Sequence, residues 1–260
     1  MANTFWCGST DDKLYLQSGQ FSSTMKTSLD VNGVDIQPNG ISWDGVNTPW
    51  AGREEGKLYL QSGQFSSTMK TSLSIAAVDS AVSGISYDGT NTPWCGDQAD
   101  KLYLQSGQFS STMKTSLVVW GVDSGVQDIS WDGINTPWCG SSGHKLYLQS
   151  GQFSSTMKTS LGIGPVSYAI RGISWDGTNT PWCGDQADKL YLQSGQFSST
   201  MKTSLAVTAI ELQLQGIEHG DFDQRVPSSG WSHKMDGVAS PGKVSGVANA
   251  SIGKVMGVSV

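Results

Sequence analysis

The sequence predicts an all-β fold: a closed five-bladed β-propeller of 44-residue, four-stranded blades, followed by an extended C-terminal tail. Three observations predict it. First, the 17 residues KLYLQSGQFSSTMKTSL occur five times without change, beginning at Lys13, Lys57, Lys101, Lys145 and Lys189, always 44 residues apart. A fixed period of that size marks a solenoid, array or propeller. Second, each period holds four short apolar-polar segments separated by turn residues, which fits one propeller blade. Third, the segment I-S-(W/Y)-D-G stands at Ile41, Ile85, Ile129 and Ile173, and its fifth counterpart, Ile217 in GIEHGDF, follows the last period. Asn3–Gly8 at the other end aligns with Asn47–Gly52 but has no first strand before it.

The elements of one period follow in order from Gly84. Ile85 and Tyr87 belong to the first, innermost strand, and Asp88-Gly89 is a hairpin turn. Thr92 to Gly96 forms the second strand. A polar loop over 97–100 leads into the third, Lys101 to Gln105, where Leu102 and Leu104 share one face and Tyr103 takes the other. Ser106-Gly107 makes another turn, and Ser111 to Leu117 forms the fourth strand. The strand missing at the N-terminus is therefore the orphan at Ile217, so one blade is split between the two ends. Backbone hydrogen bonds, each worth a net ~0.5–1.5 kcal/mol, would then close the ring. A linear solenoid would instead carry two polar caps. The propeller is expected over residues 1–222 and the tail over 223–260.

Composition supports β structure and excludes several functions. Charged residues are 15% of the chain and glycines number 32, with helix formers scarce. A net charge of −6 lacks the basic footprint of a nucleic-acid binder. No apolar run reaches the ~18 residues of a membrane-spanning helix, and the N-terminus shows no Sec-type signal. Cys7, Cys95, Cys139 and Cys183 share one place in the repeat, where the remaining copy has Ala51. Such equivalent positions on separate blades do not approach within disulfide range. These are expected to be small, buried, structural thiols.

The GISWDG segments at 40–45 and 172–177, and GISYDG at 84–89, resemble the inner strands of NHL-type and related propellers. The resemblance covers about 220 residues and implies architecture alone, because propellers host many activities. In the tail, Lys234-Met235-Asp236-Gly237-Val238, Lys243-Val244-Ser245-Gly246-Val247 and Lys254-Val255-Met256-Gly257-Val258 share K-(M/V)-x-G-V. This is similar to short repeats at the ends of virion proteins of tailed bacteriophages. The resemblance implies that the tail docks to other virion proteins, with Lys234, Val238, Lys243, Val247, Lys254 and Val258 as contact residues. It also implies location on a virion assembled in the host cytoplasm, and a homo-oligomer joined through the tail is one arrangement it allows.

Catalytic and metal chemistry find little support. His144, His219 and His233 show neither HExxH nor metal-ligand spacing, and there is no P-loop, dinucleotide fingerprint or GxSxG elbow. SWDGTNTPW differs from the sialidase Asp-box in having Asp followed directly by Gly, and Arg53, Arg171 and Arg225 are too few for a sialidase arginine cluster. The aspartates of the DG turns (Asp44, Asp88, Asp132, Asp176) offer one carboxylate per turn, short of the 6–8 oxygens of calcium, so turn formation explains them better. No enzyme activity, cofactor or metal is expected. Trp43, Trp131 and Trp175 on inner strands, and Trp6, Trp50, Trp94, Trp138 and Trp182 on second strands, are read as core filling ahead of sugar platforms.

Up-and-down strands place the DGxNTP and SGQFSS turns together on one, nearly uniform face. The second-to-third loops (9–12, 53–56, 97–100, 141–144, 185–188) and the inter-blade linkers lie on the other, variable face. Two functions follow. In the first, a non-catalytic propeller on a phage surface, for host adhesion or particle decoration, touches a host glycan or protein through variable-face residues such as Trp120, Tyr168, Arg171 and Arg53. In the second, a multivalent lectin uses the repeated turns between blades: Gln20, Phe21, Gln64, Phe65, Gln108, Phe109, Gln152, Phe153, Gln196 and Phe197.

Overall fold

A computed structural model describes residues 3–96, 98–167, 169–184 and 188–219, together with the backbone of six short tail strands. The chain divides into two units, Met1–Arg225 and Val226–Val260.

The first unit begins with β1 (Thr4–Gly8), β2 (Lys13–Gln17) and β3 (Met25–Asp30). The second blade is β4 (Pro38–Ile41), β5 (Thr48–Gly52), β6 (Lys57–Gln61) and β7 (Met69–Ser74). The third is β8 (Val82–Ile85), β9 (Thr92–Gly96), β10 (Lys101–Gln105) and β11 (Met113–Val118). The fourth is β12 (Val126–Ile129), β13 (Thr136–Gly140), β14 (Lys145–Gln149) and β15 (Met157–Gly162). The fifth is β16 (Ile170–Ile173), β17 (Thr180–Gly184), β18 (Lys189–Gln193) and β19 (Met201–Ala206), and β20 (Leu214–His219) ends the unit. Among the described residues these form five antiparallel four-stranded sheets, and β20 completes the first as β20-β1-β2-β3. Trp6 pairs with Ile217 and Phe5 with Glu218, so the ring is closed by backbone pairing between its two ends.

Two strand limits differ from the sequence expectation. The innermost strand stops at Ile85 rather than running through Tyr87, because the Asp88 carboxylate accepts the backbone N–H groups of Thr90 and Asn91 and turns the chain. Trp43, Tyr87, Trp131 and Trp175 therefore lie beyond the inner strands and not on them. The outermost strand starts at Met113 rather than Ser111, because the Ser110 hydroxyl accepts the Thr112 N–H and holds the chain in a turn.

Period-2 alternation builds the core. In each blade the second-strand Trp lies directly across from the third-strand Tyr, as in Trp94↔Tyr103, and their rings stack 4.0 Å apart there. Leu102, Leu104 and Cys95 point the other way and meet Trp138 and Tyr147 of the next blade. The same small-residue and leucine face (Cys, or Ala51 in the second blade) against a Trp/Tyr face recurs at all five boundaries, giving five wedge-shaped cores. Each fully buried large side chain contributes about 1.5–3 kcal/mol of hydrophobic stabilisation. The cysteines are buried and free, as their small apolar role requires.

The inner strands meet around the ring axis. Gly40, Gly84, Gly172 and Gly216 pack there so tightly that a Cβ on Gly40 would stand 2.7 Å from the Gly84 Cα. The fifth residue at this level is Asp128. Its buried carboxylate accepts the N–H groups of Ile129 (2.9 Å) and Ile173 (3.0 Å). One level on stand Ser42, Ser86, Ser130 and Ser174, and the buried Glu218 takes the fifth place and accepts the hydroxyls of Ser42 (3.3 Å) and Ser174 (2.8 Å). The stretch GIEHGDF, which looks degenerate in sequence, thus carries one of two acidic side chains that fill the axis. Burial without a cation pushes the Asp128 carboxyl well up, against the lowering effect of its backbone N–H partners.

The second unit contains β21 (Lys234–Met235), β22 (Val238–Ala239), β23 (Lys243–Val244), β24 (Val247–Ala248), β25 (Lys254–Val255) and β26 (Val258–Ser259). They pair as three antiparallel couples, with Lys234 opposite Ala239, Lys243 opposite Ala248 and Lys254 opposite Ser259. Each K-(M/V)-x-G-V segment is one such couple.

Candidate ligand-binding grooves

The two repeated turns of each blade lie together on one face. The Asn91 side-chain oxygen of the DGxN turn accepts the Gly107 N–H of the SGQF turn, and Asn47–Gly63, Asn135–Gly151 and Asn179–Gly195 repeat the contact. The aspartates of the DG turns do more than shape the turn. Asp132 accepts the N–H of Ile134 and Asn135 on Oδ1, and the side-chain amides of Asn135 and Gln196 on Oδ2. Gln196 belongs to the following blade, so this carboxylate ties two blades together. Gln108→Asp44, Gln152→Asp88 and Gln20→Asp176 are the same tie at three further boundaries. Burial acts to raise the Asp176 carboxyl. The hydrogen bonds from Asn179, Gln20 and Thr178 outweigh it and hold the group below the usual carboxylate range.

The tie between the first and second blades is different. Forty-four residues after Asp176 the sequence has Gly220, so Gln64 has no equivalent carboxylate, and the Lys26 ammonium contacts its side-chain oxygen instead (3.5 Å).

The phenylalanines of the SGQF turns serve the core. Phe65 and Phe153 are buried in the wedge cores, and Phe21, Phe109 and Phe197 pack against theirs. All five hold φ between +53 and +58°, which is costly for a bulky side chain and is offset by burying the ring. Of the repeated Gln-Phe pairs, the Phe thus serves the core in all five, and the Gln amide is a blade tie in four.

Beside the Gln196–Asp132 tie runs a groove between blades. At the fourth–fifth boundary it is an open cavity of about 530 Å³ lined by Asp132, Ile134, Asn135, Lys158, Trp175, Gly177 and Gln196. Trp175 is half-buried, while Ile134 is 73% exposed and Lys158 is exposed. The repeat places Lys70, Tyr87 and Gln108 at the second–third boundary and Lys114, Trp131 and Gln152 at the third–fourth. Sequence reasoning assigned Trp131 and Trp175 to the core. The structure buries Trp131, which is 8% exposed, and leaves Trp175 half-buried at a groove.

The variable face holds a tie that the sequence reading missed. Linker residues Asp35, Asp79, Asp123 and Glu211 each accept the hydroxyl of the next blade's third-strand tyrosine: Tyr59, Tyr103, Tyr147 and Tyr15. Asp123 also accepts the N–H groups of Ser142 and Gly143. The glycine that ends each second strand makes room, since a Cβ on Gly52 would stand 2.1 Å from the Asp35 carboxylate. The recurring Val-Asp of the linkers was the available signal.

The variable-face candidates are spread over the ring. Trp120 is 69% exposed in the linker after β11, Arg53 is exposed in the β5–β6 loop, and Arg171 on β16 donates to the Gln127 side chain (2.8 Å). Tyr168 lies outside the described residues. The backbone of Lys234, Val238, Lys243, Val247, Lys254 and Val258 forms the paired tail strands.

No protein-family model matches the chain, and no curated protein matches it. Among solved structures it is similar to a chain of a nidogen/laminin complex (TM-score 0.57, 12% identity, 85% of this chain and 99% of that one). It is also similar to the glutaminyl cyclase of Myxococcus xanthus (TM-score 0.51, 11% identity, 80% and 83% of the two chains). At such identities the likeness concerns the fold. The chain is a five-bladed β-propeller with tandem-repeat blades.

Proposed function

We propose that this chain is a non-catalytic, multivalent binding module of a bacteriophage particle surface: the propeller engages a host-surface glycan and the tail docks to other virion proteins. The observation that carries the binding reading is the groove at the fourth–fifth boundary, whose aromatic, amide and ammonium groups have counterparts in Tyr87, Gln108 and Lys70 at the second–third boundary. An aromatic ring for a sugar's C–H face beside a few fixed polar groups is the usual make-up of a saccharide site. Repetition around a rigid ring would turn weak single contacts into useful avidity. Support for the virion reading comes from the tail, whose K-(M/V)-x-G-V segments each fold as a separate strand couple.

A glycan array probed with residues 1–225 tests the first part: binding lost on substituting Tyr87 and Trp175 supports it, and a blank array overturns it. Deleting 226–260 tests the second. The propeller should remain folded and monomeric yet fail to join particles. A truncated protein that still co-purifies with particles would refute tail docking.

The second reading, in which the ligand is a protein held on the variable face, is favoured by one observation. Position 34 of each period is aliphatic yet substantially exposed (Val34, Val78, Val122, Val166 and Ile210), beside the exposed Trp120.

A further inference from the structure

We infer that the groove selects an acidic saccharide, and that two of the five boundaries are equipped to hold it. This rests on the reading of the grooves as glycan sites. At the fourth–fifth boundary Asp132 already accepts four N–H groups, so its carboxylate is spent on the turn and on Gln196. The Asn135 side chain is likewise engaged, its oxygen by the Gly151 N–H and its amide by Asp132. What remains facing the groove is the Gln196 oxygen, an acceptor, and the Lys158 ammonium. The ion pairs among the described residues are Lys13–Asp11 and Lys57–Glu55, and neither involves this lysine. A ligand matching the groove therefore presents an apolar face to Trp175 and Ile134, a hydroxyl donor to Gln196 and an anion to Lys158. A pyranose bearing a carboxylate has all three.

The same groups stand at the second–third boundary (Lys70, Tyr87, Gln108), where Asp44 is saturated in the same way. At the third–fourth boundary Trp131 is only 8% exposed and offers no ring face, although Asp88 is saturated there too. The two boundaries of the split blade are not complete. At the fifth–first, His219 stands where the others have Trp or Tyr. At the first–second, Lys26 already contacts the Gln64 oxygen, so cation and acceptor are spent on each other.

The test is calorimetric titration of the full chain with oligogalacturonate and oligomannuronate, each against its neutral galactose or mannose counterpart. At least one acidic oligomer should bind about tenfold tighter than its neutral counterpart, as a charge-assisted hydrogen bond implies. The site count per chain should be two, and the preference should fade in high salt. Lys70→Met and Lys158→Met together should abolish the preference with an unchanged urea midpoint, while Lys26→Met, Lys114→Met and Lys202→Met together should leave it intact. Equal binding of acidic and neutral oligomers would overturn the acidic class and leave the grooves as glycan sites. Five equal sites would overturn the count. Binding of neither series would remove the groove reading itself.

Discussion

The Gln108 side-chain amide of the third blade donates to the Asp44 carboxylate of the second, 64 residues earlier in the chain. That carboxylate also closes its own turn, so one side chain serves local and tertiary structure together. Gln108→Ala should cost about 1 kcal/mol and Asp44→Ala about 2–3 kcal/mol in urea unfolding, with a coupling near 1 kcal/mol in the double-mutant cycle. Gln64→Ala, at the boundary without a carboxylate, should stay within about 0.5 kcal/mol. Equal losses at Gln64 and Gln108 would show that the tie contributes nothing.

At the axis, Asp128→Gly restores the residue of the other blades yet strips the Ile129 and Ile173 N–H groups of their acceptor. Each buried orphan costs ~1–3 kcal/mol, so the variant should lose about 2–4 kcal/mol. Gly84→Ala should lose at least about 2 kcal/mol, because the new methyl would stand 2.1 Å from the Asp128 oxygen. Thermal melts of both variants check this, and a Gly84→Ala protein as stable as the parent would refute the close packing.

Two carboxylates should give opposite responses to pH. Burial raises Glu211, with partial relief from the Tyr15 hydroxyl and the Asp11 and Thr10 N–H groups. Its folded form keeps the proton longer than the unfolded chain, so its stabilising share is full below the unfolded value of about 4.3 and is lost as pH rises through the folded one. The parent should therefore lose stability relative to Glu211→Gln on going from acid to neutral pH. Asp176 is lowered, so its share is present above about 3.9 and is lost as pH falls through its folded value. The deficit of Asp176→Asn should accordingly shrink in acid. Matching slopes for the two variants would contradict the environments described.

The seam offers a fourth test. Removing Leu214–His219 takes away the partner of β1 and the Glu218 that joins Ser42 to Ser174. The product should lose its cooperative thermal transition. A circular permutant that joins the ends of the first unit and opens in the loop over 97–100 should keep it.

Strand order, the Trp/Tyr against Cys/Leu/Leu alternation and the split blade were legible in the sequence, because each follows from local periodicity or from counting by 44. The turn aspartates were legible as turn formers. Their ties to Gln20, Gln108, Gln152 and Gln196 were not, since the partners stand 64 residues apart, or 156 for Gln20 and Asp176, and meet only once the ring forms. Trp175 was misplaced for a similar reason: its alternation continues through the point where the Asp176 turn stops the strand.

The sequence by itself determined the all-β class, five 44-residue blades, the wedge-filling side chains and the closure by terminal strands. Short-range sterics and side-chain alternation repeat identically in every period. Only the tertiary structure decided that Asp128 and Glu218 fill the axis, that glutamine and aspartate join neighbouring blades, and that Trp175 lines a groove beside an uncommitted lysine. Those outcomes depend on where five near-identical units converge, and a convergence point exists only when the ring is closed.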